Sequence, residues 1–334
     1  MQNYNIDVAV LLIFFNRPKT FSKVFEQVKL ARPKTLFLYQ DAPRKNHPED
    51  AELVAECRRI AENIDWECEV HKYYQTENVG CDPSEYISQK WAFSIVDKCI
   101  ILEDDDVPSQ SFFPYCKELL DKYENDSRIN IICGMNNLGI YENGEYDYLF
   151  SYCESIWGWA SWRRVIERWT DTYDMLNDKE SREKFILANK NKRVIKNYLQ
   201  IVEAHQRSGK AHYESILAYD MMINNTINII PCKNMISNIG NCGEGGTHSI
   251  SNEMLLPKGS RQVLSMKTHE LEFPLKHPPF VMEDVMYKKK YWRVMGWGHP
   301  LVILYRRCAS FLLAVKYGDK ASLKRKFKKL FHIK

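Results

Sequence analysis

The sequence lacks several patterns that define common protein classes. None of its ten cysteines lies in a Cys-x-x-Cys pair, and their spacing matches no standard zinc motif. No apolar run approaches the roughly 20 residues of a membrane span, because Arg306 and Arg307 interrupt the best candidate at 301–315. The apolar run at 8–15 is short and follows Asp7, so it predicts a buried strand rather than a secretory signal. Scattered cysteines without a signal predict a protein of the reducing cytoplasm.

Two common phosphate-binding motifs are absent as well. The chain contains no GxxxxGK[ST] loop, and no GxGxxG follows the first apolar run. The segment "FNRPKTF" at 15–21 has no glycine. If the protein binds a nucleotide, the charge of the phosphates has to be neutralised by something else, and a bound metal ion is the main candidate.

Positive charge is concentrated at one end of the chain. The last fourteen residues hold six lysines and arginines and no acid. Their charge of +6 exceeds the net charge of +4 for the whole chain. This distribution argues against a broad basic face for nucleic acid. Leu323, Phe327, Leu330 and Phe331 follow helical spacing. We therefore expect 321–334 to form a basic amphipathic helix, which either binds an anionic membrane surface or packs on the domain.

Apolar segments alternate with amphipathic segments over the first third of the chain. This alternation predicts strands connected by helical crossovers and therefore a parallel α/β sheet. The predicted strands are 8–15, 35–40, 67–74 and 99–103, and the predicted helices are 17–33, 49–63 and 83–96. A polar helix is expected from Pro108 onward. Further strands are predicted at 128–136 and 227–231, a polar helical segment at 180–207, a proline-rich loop region at 253–291 and helices at 299–334.

Four consecutive carboxylates, residues 103–106, close the fourth predicted strand. Ligands of an open parallel sheet bind beyond the carboxyl ends of its strands. That rule brings the acidic run close to "FFNRP" at 14–18 and "YQDAPR" at 39–44. A solvated turn is the ordinary outcome for an acidic run, whereas a hard divalent ion converts the repulsion into attraction. We favour Mn²⁺ or Mg²⁺ bound together with a nucleotide diphosphate.

Five segments of the chain together resemble a known enzyme family. In chain order they are "VAVLLIFFNRP", "ENVG", "ILEDDDVPSQSFF", "SIWGWASWRR" and "ISNIGNCGEGGTHS". They resemble a bacterial glycosyltransferase of the GT-A fold, similar to N-acetylglucosaminyltransferase I and its bacterial relatives, over roughly residues 6–250. The acidic strand end and the Trp-Gly-Trp segment are the most specific parts. The resemblance implies an α/β, Rossmann-like fold with a mainly parallel central sheet, followed by C-terminal helices.

The resemblance also implies roles at the nucleotide. Asp105 would bind the metal ion, with Asp106 as an additional candidate ligand. Asp104 would face the ribose, and Glu103 would approach the hydroxyl groups of the donor sugar. The resemblance further implies that Arg17 lies near the nucleotide and that Asp41 contacts the nucleobase.

At the acceptor, the resemblance places the catalytic base at Asp220, and Glu214 is the alternative. The aromatic rings Trp157 and Trp159 either line a sugar site or belong to the core. His248 ends a Gly-rich loop that is expected to close over the donor, where it would reach the diphosphate or the metal ion.

The predicted organisation is a glycosyltransferase domain at 1–252, a loop-rich connection at 253–298 and basic amphipathic helices at 299–334. Within the domain, 1–125 would bind the nucleotide sugar and 126–252 would supply the acceptor side and the lid. The sequence therefore predicts a metal-dependent glycosyltransferase, cytoplasmic or peripheral on the inner face of the cell membrane.

The expected donor is a UDP-sugar and the expected acceptor a glycan or lipid-linked glycan of bacterial polysaccharide biosynthesis. The resemblance implies inversion at the anomeric carbon. Two alternatives remain open: a sugar-1-phosphate nucleotidyltransferase, which normally has a Gly-rich loop after its first strand, and a non-catalytic sugar- or nucleotide-binding module.

Overall fold

The computed structural model describes residues 6–188, 192–240, 253–297 and 299–318, together with 323, 324, 326 and 327. The strands of this part are β1 (Ala9–Phe14), β2 (Thr35–Gln40), β3 (Glu69–Tyr74), β4 (Lys98–Glu103), β5 (Asp106–Pro108), β6 (Ile129–Cys133), β7 (Tyr148–Ser151), β8 (Trp159–Trp162), β9 (Ile227–Pro231) and β10 (Ile236–Asn238). The helices are α1 (Pro18–Ala31), α2 (Glu49–Ala61), α3 (Cys81–Ile95), α4 (Phe112–Lys122), α5 (Arg163–Ile166), α6 (Lys179–Ala188), α7 (Lys192–Ser208), α8 (Tyr213–Asn224), α9 (Lys258–Arg261), α10 (Val285–Met295) and α11 (Pro300–Tyr317).

One eight-stranded sheet organises the chain, in the order β3-β2-β1-β4-β8-β6-β9-β7. The pairs β1–β2, β2–β3, β1–β4 and β6–β9 are parallel. Only β8 and β7 run against the other strands, since β8 is antiparallel to β4 and β6, and β7 is antiparallel to β9. The predicted α/β fold with a mainly parallel central sheet is thereby confirmed.

The central strands are buried because helices cover both faces of the sheet. All six residues of β1, AVLLIF, are buried. Helix α1 packs on the sheet through a stripe formed by Phe21, Val24, Phe25 and Val28, as its helical spacing predicts. This packing fixes the direction in which the chain leaves β1.

The carboxyl ends of three parallel strands meet at one edge of this sheet. Ile13 of β1 lies beside Tyr39 of β2 on one side and beside Glu103 of β4 on the other. Because the chain runs from β1 to β2 on one side and later returns to β4 on the other, a crevice forms between the two crossovers. The segments that follow the three strands therefore converge there, as the sequence predicts.

Two predicted segments differ from the structure. The helix expected from Pro108 begins only at Phe112, because 106–108 form β5, which pairs antiparallel with β10. The region 253–291 is less loop-like than expected, since it contains α9 and the start of α10. Asp284 caps α10 by accepting a hydrogen bond from the backbone N–H of Tyr287 at 2.8 Å.

The cysteines agree with the expectation of unpaired thiols. Nine of them lie within the described residues and none of these forms a disulfide; Cys242 is outside them. Cys57 is typical of the buried ones, because burial raises the pKa of its thiol to about 12. Such a thiol packs as a small hydrophobic side chain.

Candidate functional site

A cavity of about 620 Å³ opens at the carboxyl ends of β1, β2 and β4. Its floor and one wall come from the strand ends, namely Asn16, Arg17, Asp41, Glu103, Asp104 and Asp105. The opposite wall comes from the beginnings of α3 and α8, with Asp82, Ser84, Glu85, Lys210, Tyr213 and Glu214. The lining also includes Arg44, Trp157, Asn238, Gly240, Leu256, Ser260 and Leu264. The structure thus gathers seven of the predicted site residues in one place: Arg17, Asp41, Glu103, Asp104, Asp105, Trp157 and Glu214.

Arg17 lies across the acidic strand end. Its Nη1 atom is 2.8 Å from Oδ2 of Asp105, and its Nη2 and Nε atoms contact Asp104. Oδ2 of Asp104 also accepts the backbone N–H of Phe15 at 3.2 Å. Burial acts to lower the pKa of Arg17, but Asp104 and Asp105 outweigh it and raise the pKa above its usual range. Arg17 is therefore a permanent cation beside the two carboxylates.

Asp105 is held by both charge and packing. Its Oδ1 atom accepts from Nδ2 of Asn238 at 3.0 Å. Burial raises the pKa of Asp105, and the nearby charge of Arg17 opposes that effect. A Cβ atom placed on Gly240 would lie 1.9 Å from Oδ2 of Asp105, so only glycine leaves room for the carboxylate. The close approach of Gly240 thus defines where this carboxylate sits.

Asp106 has a different position from its neighbours. It is fully buried, does not line the cavity, and accepts the backbone N–H of Gly158 at 2.9 Å. Nδ2 of Asn238 also donates to it at 3.0 Å. Burial, followed by the charge of Asp105, raises the pKa of Asp106 well above its usual range. We revise its predicted role from metal ligand to anchor, because its carboxyl group fastens β5 to the segments at Gly158 and Asn238.

The donor set of the cavity fits a hard divalent cation. Seven carboxylates line it, against three cationic side chains, of which Arg44 is already paired with Asp50. Mn²⁺ and Mg²⁺ prefer oxygen ligands and are commonly held by one or two carboxylates. Asp104 and Asp105 offer such oxygens at the cavity surface. A bound ion would also offset the repulsion within this excess of negative charge.

Glu103 is half-buried at the end of β4 and contacts α8. Its Oε1 atom accepts a hydrogen bond from the hydroxyl group of Tyr213 at 3.3 Å. Burial, and then the charge of Glu85, raises the pKa of Glu103 well above its usual range. A raised pKa favours the protonated form of a carboxyl group, which donates a hydrogen bond as well as accepting one, and this suits contact with a sugar hydroxyl.

Asp41 holds the loop that precedes α3. Its Oδ1 atom accepts the N–H groups of Ala42 and Val79, and its Oδ2 atom accepts the N–H of Gly80 and Nδ2 of Asn78, all at 2.8–3.0 Å. Burial raises the pKa of Asp41, although these backbone donors oppose it. Asp41 therefore lines the cavity as predicted in position, with most of its acceptor capacity already used to shape the wall.

Asp50 is a functional neighbour that the sequence did not single out. Its buried carboxylate accepts from Nε and Nη2 of Arg44 at 2.6 and 2.8 Å, and from Nδ2 of Asn16 at 2.7 Å. The hydrogen bond from Arg44 is the main reason why the pKa of Asp50 falls to about 2. Asp50 thereby positions two residues of the cavity wall. An acid in the first turn of a helix is common, so no sequence signal marked this one.

A second group of chemically active side chains lies at the same cavity, which two of its three members, Asp82 and Glu214, line. Ligand-type atoms of Asp82, His212 and Glu214 all lie within 4.8 Å of one another. Nδ1 of His212 is 3.2 Å from Oδ1 of Asp82, and its ring stacks on His205 with a centroid separation of 3.7 Å. The sequence singled out only Glu214 from this group. Asp82 and His212 are far apart along the chain, and neither belongs to a recognisable motif.

Asp220 is not brought to the cavity. Nη2 and Nε of Arg168 approach its two carboxylate oxygens at 2.8 and 3.1 Å, and Nδ2 of Asn224 donates at 3.0 Å. It lies six residues after Glu214 on α8, which turns the two side chains about 120° apart around the helix axis. Only Glu214 of the pair lines the cavity. The predicted assignment of the base to Asp220 is therefore revised in the proposal below.

The two tryptophans of the Trp-Gly-Trp segment have different environments. Trp157 lines the cavity, whereas Trp159 is buried between Trp169 and Tyr213. Gly158 separates them at φ +61°, and a Cβ atom there would lie 2.4 Å from Ile236. Trp159 accordingly belongs to the core and not to a sugar site. His248 lies outside the described residues.

Glu154 offers a pH-dependent test of the charge near α8. Burial, and then the charge of Glu214, raises the pKa of Glu154 from 4.5 to about 8. Between these values the unfolded chain has lost the proton that the folded chain keeps, so stability falls as the pH rises. Wild type should therefore lose unfolding free energy between pH 5 and pH 8, and Glu154→Gln should lose about 1–3 kcal/mol less. Denaturant titrations of both proteins at the two pH values measure these losses. Equal losses in the two proteins would contradict the raised pKa of Glu154.

Gly240→Ala tests the packing around Asp105 without changing any charge. The new methyl group would overlap Oδ2 of Asp105 and approach Nη1 of Arg17 at 3.0 Å. We expect Mn²⁺ affinity to fall by about tenfold or more, the size seen when groups that orient a ligand are disturbed. Titration calorimetry with Mn²⁺ measures the effect. Unchanged affinity would show that Asp105 at this position is not a ligand.

Comparison with known proteins gives only distant structural similarity. No protein-family model matches the chain, and no curated protein matches it. A solved structure of apo UDP-glucose pyrophosphorylase is similar at 10% identity and TM-score 0.35, over 70% of this chain and 93% of that one. The 4-diphosphocytidyl-2C-methyl-D-erythritol synthase of Anaerococcus prevotii is similar at 8% identity and TM-score 0.27, over 55% and 78%.

A transferase of sugars is also among the similar structures. Mouse xyloside xylosyltransferase 1 is similar at 14% identity and TM-score 0.24, over 39% of this chain and 54% of that one. All three TM-scores are below 0.5, so the function has to be argued from the side chains of the cavity.

Proposed function

We propose that this protein is a metal-dependent glycosyltransferase that uses a nucleotide-diphosphate sugar, with UDP as the nucleotide and a glycan as the acceptor. One observation carries the proposal. The Asp104–Asp105–Arg17 cluster lines the same cavity as Asp82 and Glu214, and His212 lies beside these last two residues. The first provides charge for a diphosphate and its metal ion, and the second provides a proton acceptor for a hydroxyl group. UDP, the glycan acceptor and inversion rest on the family resemblance.

The donor would lie along the strand ends. In this proposal Asp105 holds the divalent ion with Asp104 beside it, and Asp104 also meets the ribose. When bound, the ion would act as a Lewis acid that stabilises the leaving diphosphate. Arg17 remains charged at every physiological pH and contributes a second positive charge at the diphosphate. Trp157 offers an aromatic face to a sugar ring.

The acceptor would approach from the side of α8. Glu214 lies in the first turn of this helix and lines the cavity. We propose that its carboxylate takes the proton of the attacking hydroxyl group as the new glycosidic bond forms. His212 and Asp82 lie close enough to position Glu214 and to influence its charge. Glu103, whose pKa is raised by burial, would hold a donor-sugar hydroxyl through a hydrogen bond.

The loop after β1 is poorly suited to a nucleotidyltransferase. Such an enzyme normally binds phosphates with backbone N–H groups at this loop, but Phe15 already donates its N–H to Asp104. At the start of α1, Pro18 has no N–H, and Thr20 and Phe21 both donate to the carbonyl oxygen of Arg17. Few donors are left for triphosphate, which favours a glycosyltransferase over this alternative.

Product analysis tests the proposal against both alternatives. The protein is incubated with a panel of nucleotide-diphosphate sugars and Mn²⁺, and the nucleotide products are separated by ion-exchange chromatography. A glycosyltransferase releases nucleoside diphosphate slowly even without an acceptor. A nucleotidyltransferase would instead yield nucleoside triphosphate, and only in a parallel reaction to which pyrophosphate is added. If the donor binds but no nucleotide product forms in either reaction, even with a range of glycan acceptors, the protein is a binding module and the proposal is overturned.

A further inference from the structure

Exposed apolar side chains are concentrated near the C-terminus. Of the 22 large hydrophobic side chains that are exposed among the described residues, twelve lie between 280 and 327. Ten of them come from three places: the segment before α10, the start of α10, and α11; the other two are Trp297 and Phe327. Single exposed hydrophobic residues are ordinary, but a contiguous group of them marks an interaction surface.

Helix α11 carries five members of this group on one face. Leu301, Leu304, Tyr305, Leu312 and Val315 are all exposed, and their spacing places them within one stripe along the helix. We refer to these five residues as the α11 stripe. A helix normally turns its apolar stripe toward the core, so the outward direction of this one requires an explanation.

The orientation of α11 is fixed by its other face. Ala314 is buried, and the guanidinium of Arg306 donates to the carbonyl oxygen of Val294 and, at 3.2 Å, to Oγ of Ser260. Gly259 leaves the space that this guanidinium occupies, since a Cβ atom there would lie 1.9 Å from its Nη2. The α11 stripe therefore points away from the domain because Arg306 and Ala314 face it.

The chain segment that contains the α11 stripe is strongly basic. Residues 285–334 contain fourteen lysines and arginines and a single acid, Asp319. Since the whole chain has a net charge of +4, the remainder of the chain is acidic. Lys288, Lys289 and Lys290 belong to α10, and Lys316 is exposed at the end of α11. An apolar stripe flanked by basic side chains is complementary to a surface that is anionic outside and apolar beneath.

We propose that the α11 stripe docks the protein on an anionic lipid surface, with its apolar side chains in the headgroup boundary and the basic side chains of α10 and α11 on the lipid phosphates. None of the described helices is long and apolar enough to cross a bilayer, and docking in the plane of the surface needs no crossing. A symmetric contact with a second copy is disfavoured, because it would place the same basic segment against itself.

The docking surface is connected to the cavity wall. Ser260, which receives the hydrogen bond from Arg306, also lines the cavity, together with Leu264 of the same segment. Lipid docking through α11 would thus bring this part of the cavity wall near the lipid surface. If the proposed glycosyltransferase function is correct, this position suits an acceptor glycan carried on a lipid.

Vesicle flotation with the full-length protein tests the proposal. The vesicles contain either phosphatidylcholine alone or phosphatidylcholine with one third phosphatidylglycerol. The test variant is Leu304→Glu/Leu312→Glu, at positions 53% and 64% exposed, and the control is Leu187→Glu on α6, at a leucine 72% exposed. We expect wild type and control to float only with the anionic vesicles, less so at high salt. The test variant should partition at least about tenfold more weakly, since each buried leucine changes an equilibrium by roughly that factor.

The remaining outcomes identify other occupants and overturn the proposal. Equal flotation of test and control variants would show that the α11 stripe does not touch lipid. A lower melting temperature of the test variant with unchanged flotation would mean that the chain itself covers the stripe. A wild-type dimer that becomes monomeric in the test variant, without flotation of either, would assign the surface to a second copy. Hydrolysis of soluble donor should be equal in all variants, so this readout separates docking from the proposed catalytic function.

Discussion

Asp105→Asn should lower metal-dependent turnover of the donor by at least about a hundredfold, because an amide is a much weaker ligand for Mn²⁺ or Mg²⁺ than a carboxylate. The protein should still fold. The substitution removes one charge from a cluster in which burial already raises the pKa of Asp105. Arg17 loses one partner but keeps Asp104. The melting temperature without metal should therefore stay the same or rise.

The control for this variant is Asp97→Asn, which removes a carboxylate that is exposed and paired with Arg163 at 3.1 Å. It should leave turnover and metal dependence unchanged. Initial rates at saturating donor, measured over a range of Mn²⁺ concentrations, provide the comparison. Wild-type rates in Asp105→Asn would eliminate this residue as the metal ligand, whatever the rates of the control.

Glu214→Gln should lower kcat by about 10²–10⁴, the usual contribution of a general base. The affinity for donor and Mn²⁺ should change little, because Glu214 acts on the acceptor hydroxyl and contributes mainly in the transition state. Rates with a glycan acceptor and donor binding by calorimetry separate the two effects. If donor affinity falls while kcat is retained, Glu214 belongs to the donor site instead.

Asp220→Asn is the matched comparison on the same helix. Because Asp220 is paired with Arg168 outside the cavity, its loss should reduce the unfolding free energy by about 1–3 kcal/mol and leave kcat within a few-fold of wild type. Arg168 is partly exposed, which lowers the cost of leaving it unpaired. A hundredfold loss of kcat in Asp220→Asn at full stability would restore it as the base.

The arrangement of the sheet was predictable because its local signals agree. The β1 and β2 segments are short apolar runs, and the helix between them has one apolar face. Parallel strands then bring their carboxyl ends to one edge by geometry alone. The cluster of Asp104, Asp105 and Arg17 follows from this rule, since each residue stands within three positions after the end of a strand.

The roles of neighbouring residues were harder to predict, since they depend on contacts between distant segments. Asp105 and Asp106 are adjacent, yet Asp106 turns inward because Gly158 and Asn238 offer it donors. Glu214 and Asp220 share a helix, and only the packing of α8 decides which of them faces the cavity. Asp82 and His212 meet where the beginnings of α3 and α8 come together. No periodicity along the chain encodes such a meeting.

The most direct test of the central claim is whether donor binding depends on the metal ion. Thermal unfolding is followed for wild type with a UDP-sugar panel, each donor with Mn²⁺ and again with EDTA. At a donor concentration of 100 times Kd, binding to the native state adds about 2.7 kcal/mol to its stability. We predict that at least one donor raises the melting temperature in Mn²⁺, much less in EDTA, and not at all in Asp105→Asn. An equal rise in Mn²⁺ and EDTA, retained in Asp105→Asn, would contradict a metal-dependent donor site at the acidic strand end.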